Sequence, residues 1–238
     1  MDRFQGYKRR FTLIELLAVV ALISMLMAVG IPAFARMIRG SKVDESARNV
    51  KLALEQAQMR AASERCYVAV IFPNGSDSDV SDSVKPYRLG GFRTAYVKKK
   101  SGGGYAFSKW VDPEWRNAPE GALLVKVNTG SFSTTDGDVT GCTEKTTDTL
   151  EGASALKEIT GVKDDSGNSL DVGKHTAVIF TPYGRIVGDY KLYLLVSEAV
   201  ANGESITYPT ATVTGSNRTS NYKVLKINNL TGRVEFSE

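Results

Sequence analysis

From position 11 to position 31 the chain reads FTLIELLAVVALISMLMAVGI, 21 residues whose single charge is Glu15. As an α-helix rising about 1.5 Å per residue the run spans about 31 Å, close to the hydrocarbon thickness of a bilayer. A soluble core helix has no use for so long a surface that is apolar all round, so the sequence predicts a transmembrane helix. Lys8, Arg9 and Arg10 stand directly before the run, and Arg36, Arg39 and Lys42 follow it. The denser basic group on the N-terminal side predicts a cytoplasmic N-terminus and an external body.

The helical pattern continues. Val43, Ala47, Val50, Leu54, Ala57 and Ala61 recur at alternating intervals of four and three, while Lys42, Glu45, Asn49, Gln56, Arg60 and Glu64 occupy the remaining surface. That spacing places a narrow stripe of small apolar residues along one face. The expected element is one helix over residues 11–64, with a membrane half at 11–31 and an amphipathic half at 32–64. Pro32 removes a backbone donor and crowds the preceding turn, so a kink is expected there.

Glu15 calls for its own explanation. A carboxylate deep in a membrane costs about 2.5–3.5 kcal/mol on insertion scales, so it either finds a partner or snorkels towards the headgroups. Three readings fit the whole N-terminal segment. It could be a secretory signal peptide cut after Ala35, since Ala33-Phe34-Ala35 fits an A-x-A site and would release a soluble binding protein. It could be a plain anchor. The third rests on a resemblance: Phe11-Thr12-Leu13-Ile14-Glu15-Leu16-Leu17, after basic residues, resembles the leader of type IV pilins and type II secretion pseudopilins. The resemblance implies cleavage between Arg10 and Phe11 by a prepilin peptidase, leaving residues 1–10 as the leader, and N-methylation of Phe11. Counted from Phe11, Glu15 is fifth and Pro32 twenty-second, the positions of the family's glutamate and kinking proline. It further implies that Glu15 pairs with the free amine of a neighbouring subunit during assembly. Arg10 departs from the pattern, which has glycine before the cut.

After Glu64 the punctuation becomes that of a β domain, residues 65–238. Strands are expected at 66–72, 87–98, 104–110, 122–127, 175–181, 190–196, 222–227 and 232–236, each closed by Gly, Pro, Asn or Asp. The last two read as a hairpin around Leu230-Thr231-Gly232. The expected fold class is α+β, pilin-like: a long N-terminal helix packed on antiparallel β-sheet. Ala47-Arg48 and Ala57, the 68–72 strand, Phe180-Thr181-Pro182-Tyr183-Gly184-Arg185 and Gly232-Arg233-Val234 resemble the GspH/FimT group of minor pseudopilins and related minor pilins. That likeness covers about residues 8–72 and 175–236.

Residues 128–173, rich in Thr, Ser, Gly and Asp, read as an insertion with one short helical candidate at 153–159. It is either a surface insertion or a partner-recognition element. Cys142 lies in it and Cys66 ends the helix. Outside the cytoplasm a disulfide between them is expected to add about 4 kcal/mol by chain entropy.

Catalysis has no candidate. One histidine and two cysteines leave few metal or thiol constellations open, and no GxSxG, P-loop, HExxH or CxxC occurs. No cofactor is expected. Asp77, Asp79 and Asp82 supply carboxylates that calcium uses, without the glycine and glutamate of an EF-hand, and read as a solvated loop. His175 reads as a structural residue opening a strand. Lys98-Lys99-Lys100, near Tyr96, Tyr105 and Trp110, could meet phosphates and stack bases, or could serve solubility. Of the net charge of +4, three units belong to residues 1–10, leaving the body near neutral, so nucleic acid is not an expected partner.

The expected function is that of a non-enzymatic minor pseudopilin in the bacterial inner membrane, single-pass, with a periplasmic β domain. Its expected partners are other pseudopilins, the inner-membrane secretion platform, the prepilin peptidase and exported cargo. A FimT-like minor pilin serving pilus assembly or DNA uptake is the nearest alternative.

Overall fold

The fold is that of a computed structural model, in which residues 12–76, 78–130, 150, 152–202, 205–207, 211–213, 216–218 and 222–237 are described. The side chains of 29, 32–40, 200–202 and the described residues of 205–218 lie outside that description. The elements are α1 (Leu13–Glu64), β1 (Tyr67–Ile71), β2 (Gly91–Lys99), β3 (Tyr105–Trp110), β4 (Arg116–Asn117), β5 (Ala122–Asn128), β6 (Ile159–Thr160) and β7 (Ala177–Phe180). They continue as β8 (Leu192–Glu198), β9 (Val200–Asn202), β10 (Ser205–Thr207), β11 (Ala211–Val213), β12 (Ser216–Arg218), β13 (Tyr222–Ile227) and β14 (Val234–Ser237). The class is α+β with antiparallel-rich sheets.

The chain divides into two compact units, Met1–Arg39 and Gly40–Glu238. In the first, every side chain described between Thr12 and Ile31 is exposed. In the second, strands order as β6-β3-β2-β1-β7, with β4 paired to β2, and separately as β14-β13-β8-β5. Two small ribbons, β9–β10 and β11–β12, lie between β8 and β13 in sequence.

The predicted stripe on α1 is buried: Val43, Ala47, Val50, Leu54, Ala57 and Ala61 are each 4% exposed or less. They share one core with Val68, Val70 and Phe72 of the β1 segment, Val178 and Phe180 of β7, and Leu194, Leu225 and Ile227 of the four-stranded sheet. Small residues let the helix backbone approach these strands closely; truncating the largest, Leu54→Ala, should cost about 2–5 kcal/mol. At the helix flank Asp44 pairs with Lys223 at 3.3 Å, and the Lys51 ammonium lies 5.3 Å from the Phe236 ring centroid.

Side chains alternate across a strand, and β1 buries both sets. Ala69 and Ile71 turn away from α1 into a second core with Ala95, Val97, Ala177 and Ile179, roofed by Ile159, Val162, Leu170 and Val172. The expected insertion at 128–173 is therefore, over its described residues from 152, a covering layer for the outer face of the sheet. Both ends of the covering segment are tied to Asn74, 3% exposed. Its Oδ1 accepts from Leu150 N at 2.6 Å, its own N donates to Val172 O at 3.0 Å, and its Nδ2 donates to Lys174 O at 3.4 Å. Buried Arg93 holds the middle: it donates to Asp165 Oδ1 at 2.7 Å and to the Pro113 carbonyl, and its guanidinium lies 4.2 Å from the Trp110 ring centroid.

Several expectations are corrected. The helical candidate at 153–159 is a 3-10 turn (Ala153–Ala155) followed by β6. Lys157 instead exchanges two backbone hydrogen bonds with Ala177, 2.8 and 3.0 Å, so the edge of β7 takes the amide a helix would have used. The strand expected from 87 begins at Gly91, because Lys85–Tyr87 is a 3-10 turn containing Pro86. His175 does not open a strand: its φ is 51°, a left-handed conformation, and β7 starts at Ala177. The strand expected at 190–196 runs Leu192–Glu198 and is buried on both faces. The pairing of β3 with β6 is parallel, and β9–β12 had no expected counterpart.

Candidate functional site

Helix α1 starts at a reciprocal cap. Thr12 Oγ1 accepts from Glu15 N at 3.3 Å, while Glu15 Oε2 accepts from Thr12 N and Thr12 Oγ1, both at 3.2 Å. The first helical bond runs from Leu16 N to Thr12 O at 3.2 Å. Thr12 is thus the N-cap and Glu15 the third helical residue of a capping box, with the carboxylate at the positive end of the helix dipole. The signature T-x-x-E ahead of an apolar run is the sequence signal of this cap.

The side chains that follow are unpartnered. Leu13 is 82% exposed and Met25 74%, and Ile14, Leu16, Leu17, Leu22 and Leu26 are likewise open. A contiguous apolar surface on this scale marks an association surface. Among the described residues no helix is long and apolar enough to cross a membrane. Arg10 and Phe11 lie outside the described residues, so cleavage and methylation have no structural counterpart here. Helix α1 runs through Pro32, whose side chain lies outside the description, as does the kink assigned to it.

The separate pieces of the mid-domain and terminal motifs meet against α1. Thr181 N donates to Arg185 O at 2.7 Å and Gly184 N to Thr181 O at 2.8 Å, closing one turn. Asn228 N donates to Arg233 O at 2.9 Å and Gly232 N to Asn228 O at 2.7 Å, closing the other. Gln58 Nε2 donates to Thr231 O at 2.6 Å, and a Cβ on Gly184 would lie 3.5 Å from Ala62 Cβ. Tyr183 and Leu230, at the tips, stay exposed. The cluster is a structural lock.

Cys66 is half-buried and free among the described residues; burial first, then Glu64, pushes its thiol pKa up. Cys142 and Asp77 lie outside the described residues. Asp79 accepts from Ser76 Oγ at 2.7 Å and Ser76 N at 3.3 Å, and these bonds hold its pKa down. Asp82 pairs with Lys85 at 2.6 Å, likewise lowered. Each carboxylate serves its own turn, and among the described residues no His, Cys, Asp and Glu side chains group to hold a metal ion. His175 Nδ1 lies 3.4 Å from Leu156 O.

Lys98, Lys99 and Lys100 are exposed at the β2–β3 hairpin, but the aromatics beside them are engaged. Tyr96 donates to Glu64 Oε2 at 2.6 Å, Tyr105 is buried, and Trp110 donates to Lys163 O at 2.8 Å while packing on Phe107 and Trp115. The base-stacking arrangement considered for them is not built.

No protein-family model matches the chain, and no curated protein matches it. Among solved structures, the crystal structure of the type IV minor pilin FimU of Pseudomonas aeruginosa is similar, at 12% identity and a TM-score of 0.39, over 83% of this chain and 90% of that one. A likeness at this level identifies neither a family nor a function.

Proposed function

We propose that this chain is a non-enzymatic subunit of a pilin-like filament, specifically a minor pseudopilin of the type II secretion class. In this reading residues 11–31 anchor it in the bacterial inner membrane, with the N-terminus cytoplasmic and the β-rich body periplasmic. What supports the reading is one observation above all: within the FTLIELL run a helix opens at Leu13, its sole early charge is Glu15, and its described apolar side chains are bare. Lipid covers those side chains before assembly, and the helices of neighbouring subunits cover them after.

Glu15 acts as the register mark. In the single chain Thr12 satisfies its carboxylate. Once the prepilin peptidase has cut between Arg10 and Phe11, the new amine of a neighbour offers a charged partner. In a low-dielectric bundle a matched pair is favoured over a carboxylate left alone, so axial register is rewarded. The packed half of α1 and the β body then contact other pseudopilins, the secretion platform and cargo.

The mass of the N-terminal peptide from the protein in its native membrane tests this. A chain starting at methylated Phe11 is expected. A soluble chain starting at Arg36 overturns the reading.

A further inference from the structure

Helix α1 ends in a motif that normally carries glycine. Cys66 N donates to Ala61 O at 3.3 Å, and Arg65, between helix and strand, takes φ = 54°. That bond and conformation make Arg65 the left-handed residue closing the helix, where a side chain strains the backbone and glycine does not. Strain kept at an exposed position points to a use for the side chain.

Five more cations stand on the elements beside it, Arg60 on α1 and Lys98, Lys99, Lys100 and Lys109 on the β2–β3 hairpin. Across the β2–β3 pair Lys109 stands opposite Tyr96, and its ammonium lies 4.9 Å from that ring's centroid. The charges of Lys109 and Arg60 both bear on the Cys66 thiol beside Arg65. Lys98 follows Tyr96 on the same face of β2 by strand alternation, and Lys99 and Lys100 lead into the turn. Among the described residues no carboxylate pairs with Arg65, Lys98, Lys99, Lys100 or Lys109. Glu64, the acid in their midst, is already held by Tyr96 at 2.6 Å and Arg60 at 3.8 Å.

We propose that this end of the molecule is a docking surface for a carboxylate-rich protein. A nucleic acid fits it less well, since Tyr96, Tyr105 and Trp110 are engaged and leave no free ring for a base. Unpaired lysines flanking a held glutamate instead match a protein face of mixed but mainly negative charge.

The test is binding of labelled poly-L-glutamate by the full chain in neutral detergent at about 150 mM salt, where weak surface charge is screened. Single-stranded and duplex oligonucleotides serve as parallel probes. The expected result is saturable poly-L-glutamate binding that falls about tenfold or more in K98E/K99E/K100E. Arg65→Gly should weaken binding by about threefold while its thermal midpoint holds or rises, because glycine relieves the strain. Absence of binding, or equal affinity in the triple variant, overturns the proposal. Tighter binding of either oligonucleotide overturns the choice of partner, and a lowered midpoint in Arg65→Gly marks Arg65 as structural and removes it from the surface.

Discussion

Gly232 lies so close to the carbonyl oxygen of Gly184 that a Cβ on it would stand 1.9 Å from that atom. Both glycines have positive φ, 70° and 75°, so each turn needs the conformation as well as the space. Gly232→Ala should therefore suffer twice, from about 1–2 kcal/mol of left-handed strain and from a clash with rigid backbone. Gln58→Ala, which removes one hydrogen bond to Thr231, should cost about 1 kcal/mol. Urea unfolding of the two variants should show Gly232→Ala as clearly the more damaging. Equal effects would mean that the turns are not locked by this approach.

Asn74 is expected to control the covering layer over the second core. Asn74→Ala strands the buried Leu150 amide, at a cost of about 1–3 kcal/mol. Hydrogen exchange should report the loss locally, with faster exchange at Leu150 and across 156–172 while the amides of α1 in 43–61 keep their protection. Gly173→Ala should act similarly, because its Cβ would fall 1.4 Å from Asn74 O. Uniform acceleration over the whole body would show that the layer does not open as a unit.

The cap that Glu15 makes in the structure and the register mark it makes on the proposed function are separable. Thr12→Ala removes the cap, for about 1 kcal/mol of helix stability, but leaves the carboxylate available to a neighbour. Glu15→Gln removes the charge while keeping an acceptor for the Thr12 amide. On the proposed function, filament assembly scored by cross-linking between subunits should fall sharply in Glu15→Gln and only mildly in Thr12→Ala. The reverse ranking would make capping the whole purpose of Glu15.

Asp164 gives a pH prediction. Its carboxylate accepts from the Asn168 side chain at 3.0 Å and from the amides of Asn168 and Ser166 at 2.8 and 2.9 Å, with the Asn168 side-chain bond the largest influence holding its pKa down. A lowered folded pKa means stabilisation that is full above the unfolded value of about 3.9 and is lost as pH falls through the folded one. The 164–168 turn should lose exchange protection below about pH 4, and Asp164→Asn should remove that pH dependence. Protection in the native chain that stays flat down to pH 2 would refute the assignment.

Tyr96 moves the other way. Its hydrogen bond to Glu64 is the main cause raising its pKa, so the stabilisation is present below the unfolded value of about 10 and lost as pH climbs through the folded one. Burial also raises the pKa of Tyr105, so alkaline titration followed by phenolate absorbance should show a late-ionising group of tyrosines that loses one member in Tyr96→Phe.

The residues that were legible in sequence share a property. The α1 stripe from Val43 to Ala61, the strand Tyr67–Ile71 and the closing β13–β14 hairpin each repeat a local period or carry a turn residue at a fixed offset. The capping box of Thr12 and Glu15 is equally local, a T-x-x-E signature ahead of an apolar run. By contrast, Val162, Leu170 and Val172 are single apolar residues scattered among Gly, Ser and Asp, with no period to mark them, and Ile159 closes a helical pattern that the structure replaces with a strand. The region they occupy looked like an appendage and is a roof.

By itself, the order of residues determined where the long helix and most strands form and which helical face turns inward, because backbone geometry imposes periods of 3.6 and 2 on neighbouring positions. Only the tertiary structure decided that Gln58, Gly184 and Gly232 interlock, that Asn74 fastens both ends of a distant segment, and that Arg65 closes the helix under strain. Those relationships join positions up to 174 apart in the chain, from Gln58 to Gly232. They depend on volume, approach distance and orphaned hydrogen-bonding groups that exist only once the strands have been laid side by side.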